Sequence, residues 1–149
     1  MTTLIRRVVT ILLNHQRGFK PGGLTPMHLA CRKGHCEVVE KIASTVQVWI
    51  DAPNSYEDMY TPLHIACKHC HEGILCVLLK HNAKESFTKE EGLSPVHLAV
   101  KNEFTDGLKS LLNERPAWVN HKDKQHRTPL HYAAEHCHNS KIIALLLER

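Results

Sequence analysis

Four times the chain reads Thr/Ser-Pro-x-His: Thr25-Pro26-Met27-His28, Thr61-Pro62-Leu63-His64, Ser94-Pro95-Val96-His97 and Thr128-Pro129-Leu130-His131. The starts lie 36, 33 and 34 residues apart. A repeat this short restricts the fold more than composition does. A unit of about 33 residues exposes an apolar face it cannot bury alone, so neighbours must stack around one continuous core. The motif also marks a helix start, with a hydroxyl side chain at the N-cap and Pro at the first helical position, where its missing N–H costs nothing.

The second unit shows the plan. After Thr61-Pro62 a helix continues through Leu63-His64-Ile65-Ala66-Cys67-Lys68, a turn follows at His69-Cys70-His71, and Ile74-Leu75-Cys76-Val77-Leu78-Leu79-Lys80 forms a second helix with apolar residues at helical spacing. Asn82 suits the left-handed backbone that ends a helix. The other first helices carry Leu29-Ala30-Cys31, Leu98-Ala99-Val100 and Tyr132-Ala133-Ala134. Their second helices carry Val38, Val39, Ile42 and Ala43; Leu108, Leu111 and Leu112; and Ile142, Ile143, Leu145 and Leu146.

Over nearly its whole length the chain resembles the ankyrin-repeat family. The resemblance implies an all-α, ankyrin-repeat solenoid of four helix-turn-helix repeats plus a partial N-terminal helical repeat. One domain, 1–149, then divides into a partial repeat 1–19 and repeats at about 20–54, 55–86, 87–120 and 121–149. Residues 4–15 look like a second helix without its first, since Val8-Val9-Thr10-Ile11-Leu12-Leu13 matches Ile142-Ile143-Ala144-Leu145-Leu146-Leu147. A free solenoid end normally carries a polar cap. Leu145, Leu146 and Leu147 stand there instead, so a segment of a longer protein is expected.

The family usually has Gly between its two helices, as at Gly34, but Cys70, Glu103 and Cys137 replace it. It also has Gly before the Thr-Pro step, as at Gly23 and Gly92, where Met59 and His126 depart. A non-Gly residue at positive φ costs about 1 kcal/mol, so the second and fourth units are expected to be locally less regular. The longer loop Asp51–Asp58 reads first as a tolerated insertion and second as a contact site.

Little in the chain points to catalysis. There is no nucleophile elbow, phosphate-binding glycine loop or metalloprotease motif. The signature histidines stand a full repeat apart and cannot converge on one substrate; the resemblance implies that each bonds near its own helix start and across to the next loop. Cys67-Lys68-His69-Cys70-His71 spells the haem-attachment pattern, yet Cys67 aligns with the core positions Cys31, Val100 and Ala134. As a zinc site the same stretch offers three ligands where a structural site wants four. No cofactor, no metal and no enzyme activity are expected. A net charge of +4 does not argue for nucleic acid. No apolar run nears the roughly 18 residues of a membrane span, and Arg6 and Arg7 interrupt the N-terminal apolar stretch. Six cysteines without disulfide-framework spacing fit a reduced, cytoplasmic or nuclear protein.

The resemblance implies that a protein or peptide partner binds a concave groove of loop tips and first helices. Aligned on the Thr-Pro step, the tips bring Leu24; Glu57, Asp58 and Tyr60; Glu90, Glu91 and Leu93; and Lys124 and Arg127. The first-helix ends bring Arg32 and Lys33, Lys68 and His69, Lys101 and Asn102, and Glu135 and His136. Arg32, Lys68 and Lys101 share one register and form a basic ladder, facing acidic tips across apolar Leu24, Tyr60 and Leu93. The ladder suits a partner with acidic residues; equally, Lys68 or Lys101 pairs with the tip carboxylates and merely solvates the surface. Trp49 and Trp118 also align, as shields of the adjacent hairpin ahead of binding anchors. A second function stays open, a structural arm of a larger membrane channel, kinase or adaptor. The isolated segment is expected to be a monomer.

Overall fold

The structure, a computed structural model, describes residue 7, residues 23–55 and residues 58–149. The expected helix over 4–15, apart from Arg7, and the tip residue Glu57 lie outside these. Along the chain run α1 (Pro26–Lys33), α2 (Cys36–Thr45), α3 (Pro62–Lys68), α4 (Glu72–Lys80), α5 (Pro95–Lys101), α6 (Thr105–Glu114), α7 (Pro129–His136) and α8 (Ser140–Leu147). Short 3-10 turns at Gln47–Trp49 and Pro116–Asn120 follow α2 and α6. The described residues thus form an all-helical stack of four hairpins. No helix among them is long and apolar enough to cross a membrane.

Each hairpin packs on the next in register. First helices α1, α3, α5 and α7 form one row, and second helices α2, α4, α6 and α8 form the other. The spine between the rows explains the repeated small residues: Ala30, Ala66, Ala99 and Ala133 are all buried, letting the first helices approach closely. Leu75 and Leu78, Leu108 and Leu111, and Ile142 and Leu146 fill the second-helix side.

The signature explains how successive units are joined. In all four, the Thr or Ser hydroxyl caps the helix and the histidine three residues on reaches back to the N-cap backbone, closing a capping box. The N-cap N–H meets histidine Nδ1 at 3.1 Å in the first unit, 3.2 Å in the second, 3.1 Å in the third and 3.0 Å in the fourth. Because Nδ1 accepts there, the ring proton sits on Nε2. That proton is donated to the next unit: His28 to the Tyr60 carbonyl at 3.1 Å, His64 to Leu93 at 3.0 Å and His97 to Arg127 at 3.0 Å.

The same three carbonyls each accept a second bond, from the residue that opens the finger-like loop. Asn54 N donates to Tyr60 O at 2.9 Å, Thr88 N to Leu93 O at 3.0 Å and Asp123 N to Arg127 O at 3.0 Å. Between these closing pairs lie residues 55–59, 89–92 and 124–126, which is five, four and three residues. The finger before Thr61 thus keeps the closing bond of the others although its closing pair encloses one or two residues more. Asn54, Thr88 and Asp123 are all buried despite being polar.

Backbone strain falls where the glycine substitutions predict it, with two exceptions: Asp58 adds a positive φ of 50° and Cys137 has none. Cys70 (φ 56°) and Glu103 (φ 51°) adopt the left-handed turn of Gly34 (φ 77°). Met59 (φ 61°) and His126 (φ 62°) adopt that of Gly92 (φ 71°). Asn82 ends α4 at φ 61°. Cys137 departs: its φ is −98° and its ψ 124°. Here α7 runs on through His136, the Cys137 N–H bonds to Ala133 O at 3.0 Å, and Asn139 caps α8. The fourth turn avoids positive φ by leaving α7 in extended form at Cys137; the second keeps its geometry and bears the strain.

Three outcomes are expected. His64→Ala deletes the cap bonds and leaves the buried Leu93 carbonyl with one partner fewer, which should cost about 3 kcal/mol; His131→Ala, exposed and holding only its own cap, should cost below about 1 kcal/mol. Equal losses of urea midpoint in the two variants would refute the bridging role. Cys70→Gly should stabilise by about 1 kcal/mol whereas Cys137→Gly should not; thermal unfolding by circular dichroism checks this, and a matching gain at both sites would contradict the assigned strain. Burial holds the His64 ring down at about 4, with the Leu93 carbonyl bond and Asp58 opposing, and burial lowers His97 in the same direction. The unfolded chain therefore takes up protons first. Stability from His64 is complete above about pH 6.5 and lost as pH falls toward 4, about 2 kcal/mol of it by pH 5. Urea titrations at pH 7 and pH 5 of the parent and His64→Ala should show the parent losing more; an identical loss in both would exclude this origin.

Candidate functional site

The position seven residues after the capping Thr or Ser lies in the last turn of each first helix, and it faces the fingers. Two contacts establish that direction. Lys68 Nζ lies 5.4 Å from the centre of the Tyr60 ring, and Arg127 Nη1 lies 3.8 Å from the Glu135 carboxylate. Tyr60 and Arg127 both stand just before the Thr-Pro step, at the finger base. A trough therefore runs along the stack between the ends of the first helices and the fingers.

On its helix side, Arg32 is half-buried while Lys33, Lys68 and Lys101 are exposed. Among the described residues no ion pair joins Lys68 or Lys101 to a carboxylate. His69 and Asn102 cap α3 and α5 and are exposed, Asn102 Nδ2 donating to Leu98 O at 2.8 Å. In the fourth unit the register changes sign: Glu135 lies 3.5 Å from exposed His136 as well as near Arg127.

The finger side differs from expectation at three residues. Leu93 is only 2% exposed, so it does not line the trough. It closes the third finger, its N–H donating to Thr88 Oγ1 at 2.9 Å and its side chain joining the core. Asp58 is turned to its neighbour: its carboxylate accepts from Glu90 N at 2.6 Å and its carbonyl from Lys89 N at 3.1 Å. Arg127 is held inward, with Nε on the Asp123 carboxylate at 2.9 Å and Nη2 donating to the Tyr132 hydroxyl at 2.6 Å. That hydroxyl donates to Asp123 at 2.7 Å. Burial alone raises the Asp123 carboxyl, but bonds from the Arg127 and Gln125 backbones, the Tyr132 hydroxyl and the guanidinium outweigh it and bring it to about 2.

Leu24 and Tyr60 remain half-buried at the finger bases, Tyr60 stacking on His64 with ring centres 5.5 Å apart. Glu90, Glu91 and Lys124 are exposed. Lys124 N donates to the Glu91 carbonyl and Lys124 Nζ to the Lys89 carbonyl, stitching the fourth finger to the third. Between them opens a cleft of about 290 Å³ lined by Glu90, Glu91, Asp123, Lys124, Gln125 and Arg127. Sequence reasoning missed the network of Asp123, Arg127 and Tyr132, and the finger-closing role of Asn54 and Thr88. Aligning the residues five to seven before each Thr-Pro step, with gaps, is the signal that finds them.

The remaining motifs sit in the scaffold. Trp49 and Trp118 are 7% and 5% exposed, and Trp118 packs beside Arg115 and His121. They shield their hairpins. Cys67 is fully buried, and burial raises its thiol far above the usual range; burial likewise pushes Cys31 up to about 12. Both stay protonated thiols, poor as nucleophiles or ligands. Cys70 points its sulfur toward Asn102 O instead. Among the described residues no three His, Cys, Asp or Glu side chains are grouped to hold a metal ion.

Known proteins are similar in sequence. The family description of ankyrin repeats, in three copies, matches residues 6–88 and 75–149. NF-kappa-B inhibitor zeta of Bos taurus is 35% identical over 135 residues, covering 85% of this chain and 17% of its own. A putative ankyrin repeat protein, FPV031 of Fowlpox virus (strain NVSL), is 33% identical over 129 residues, covering 83% of this chain and 37% of its own. Alpha-latrotoxin-Lh1a of Latrodectus hasselti is 30% identical over 113 residues, 74% of this chain and 8% of its own. The chain thus spans between 8% and 37% of the length of these relatives. From the capping boxes, the histidine bridges and the family match together, the chain belongs to the ankyrin-repeat family.

Proposed function

We propose that the chain is a non-catalytic protein-recognition module, cytoplasmic or nuclear, that captures a protein or peptide partner in the trough between first helices and fingers. Ankyrin repeats are generally protein–protein interaction modules, and a relative named as an inhibitor of NF-kappa-B fits that use. The observation that carries the reading is the exposed row of Lys68 and Lys101 in one register, without a described carboxylate partner, beside half-buried Tyr60. A lysine at a tyrosine face next to a shallow apolar base is poised for an acidic segment with an apolar anchor. The cleft beside Glu90 and Glu91 adds a place for a basic side chain at the far edge.

A second reading draws on the length of the relatives, of which this chain matches 8% to 37%. In it the stack is a structural arm of a larger protein, and the trough receives another part of the same assembly. The surface and its chemistry are the same in both.

Lys68→Glu/Lys101→Glu should abolish capture of bound proteins and remove its salt sensitivity. The matched reversal Lys80→Glu/Lys109→Glu, on exposed positions of the second helices, should change neither. Affinity capture with quantitative mass spectrometry at about 50 and 300 mM salt reads both. Equal capture by the two reversed proteins would rule the trough out.

A further inference from the structure

We infer that the partner enters the trough as an α-helix laid along the stack, with a carboxylate at every seventh residue; this rests on the trough reading above. The rungs Arg32, Lys68 and Lys101 lie in the last turns of neighbouring, directly packed helices α1, α3 and α5. Their spacing is therefore one helix–helix distance, about 8–10 Å. Seven residues of α-helix advance about 10.5 Å and return to nearly the same face. An extended strand does not match this repeat, because its same-face residues fall about 6.8 or 13.6 Å apart and the third residue points the other way.

A polyproline helix also returns to one face at about 9.3 Å, every third residue. The second row of the trough separates the two. Tyr60 lies 5.4 Å from Lys68 Nζ, so an occupant must meet rung and ring together. On an α-helix the residues three and four beyond a carboxylate stay on its face, about 5–6 Å away. On a polyproline helix with its third residues aimed at the rungs, the intervening side chains turn about a third of a circle away. Only the α-helix presents both.

The fourth unit sets where the pattern ends. Glu135 takes the register of the three basic residues and lies 3.8 Å from Arg127. A fourth carboxylate there would face like charge. The partner helix thus reads acid, acid, acid, base at seven-residue intervals, with apolar residues three or four beyond the acids to reach Tyr60 and Leu24. Its basic end lies over the fourth unit.

The test uses synthetic peptides and the whole chain. A fluorescein-labelled helical peptide of 26 residues carries Glu at positions 3, 10 and 17, Lys at 24 and Leu four after each Glu, on an Ala/Gln background (about four turns per 14 residues). A second peptide has the same composition with the Glu residues five apart; a third is proline-rich with Glu at every third position. Anisotropy at low salt should give the heptad peptide about tenfold tighter binding than either control, as two exposed ion pairs of ordinary size, at Lys68 and Lys101, allow. Lys68→Glu/Lys101→Glu should abolish the difference. Glu135→Lys should shift the preference to a peptide with Glu at position 24. If all peptides bind alike and all are lost on the double reversal, the trough stands and the helix inference falls. Tighter binding of the proline-rich peptide, or no binding of the heptad peptide, overturns it too. Binding of every peptide that survives the double reversal brings down both.

Discussion

Everything in this stack depends on a doubly bonded carbonyl. At Tyr60, Leu93 and Arg127 one oxygen accepts both the finger-closing N–H of its own unit and the Nε2–H of the histidine in the unit before. A carbonyl has two lone pairs, and here both are used. One bond shapes the finger, the other spaces the units. Neither partner can move without opening a buried polar group, so local loop geometry and long-range stacking are a single constraint. The neutral histidine tautomer is part of that constraint, since Nδ1 must accept from the N-cap for Nε2 to donate onward.

Fixing the base of each finger frees its tip. Closing pairs that enclose five, four and three residues keep the same distances, so insertions and charges accumulate at the tip without reaching the core. The helix side works alike: the seventh position after the cap leaves the core and meets the finger base, and its identity passes from Arg32 through Lys68 and Lys101 to Glu135. A regular, buried scaffold thereby displays an irregular surface at fixed intervals, which is the condition for reading a linear partner.

The fold was legible because each signature residue acts within four positions of itself or a whole repeat away. The capping hydroxyl, the Pro, the histidine and the small residues all carry local reasons. Misreadings arose where a register position changes its role. Leu93 aligns with Tyr60 but is aliphatic and turns into the core, whereas the Tyr60 ring stays half-buried on His64. Cys137 aligns with Gly34, yet there the chain leaves the helix in extended form, and α8 starts one register position later than the other second helices. Asp58 looks like surface charge until the next finger's backbone supplies its donor. Such pairings are set by three-dimensional neighbours about 30 residues away, and periodicity is blind to them.

The sign change at Glu135 has an internal cause. Asp123 closes the fourth finger where Asn54 and Thr88 close the others, and it alone brings a full charge into a buried place. An isolated buried carboxylate is costly unless paired and bonded. Arg127 fills that need from the position held elsewhere by Leu24, Tyr60 and Leu93, with the Tyr132 hydroxyl completing the shell. A guanidinium at the finger base then favours an acid across from it, and Glu135 stands there. A requirement of the finger's interior thus propagates through two residues to reverse the charge of the trough, and the surface acquires a direction along the stack.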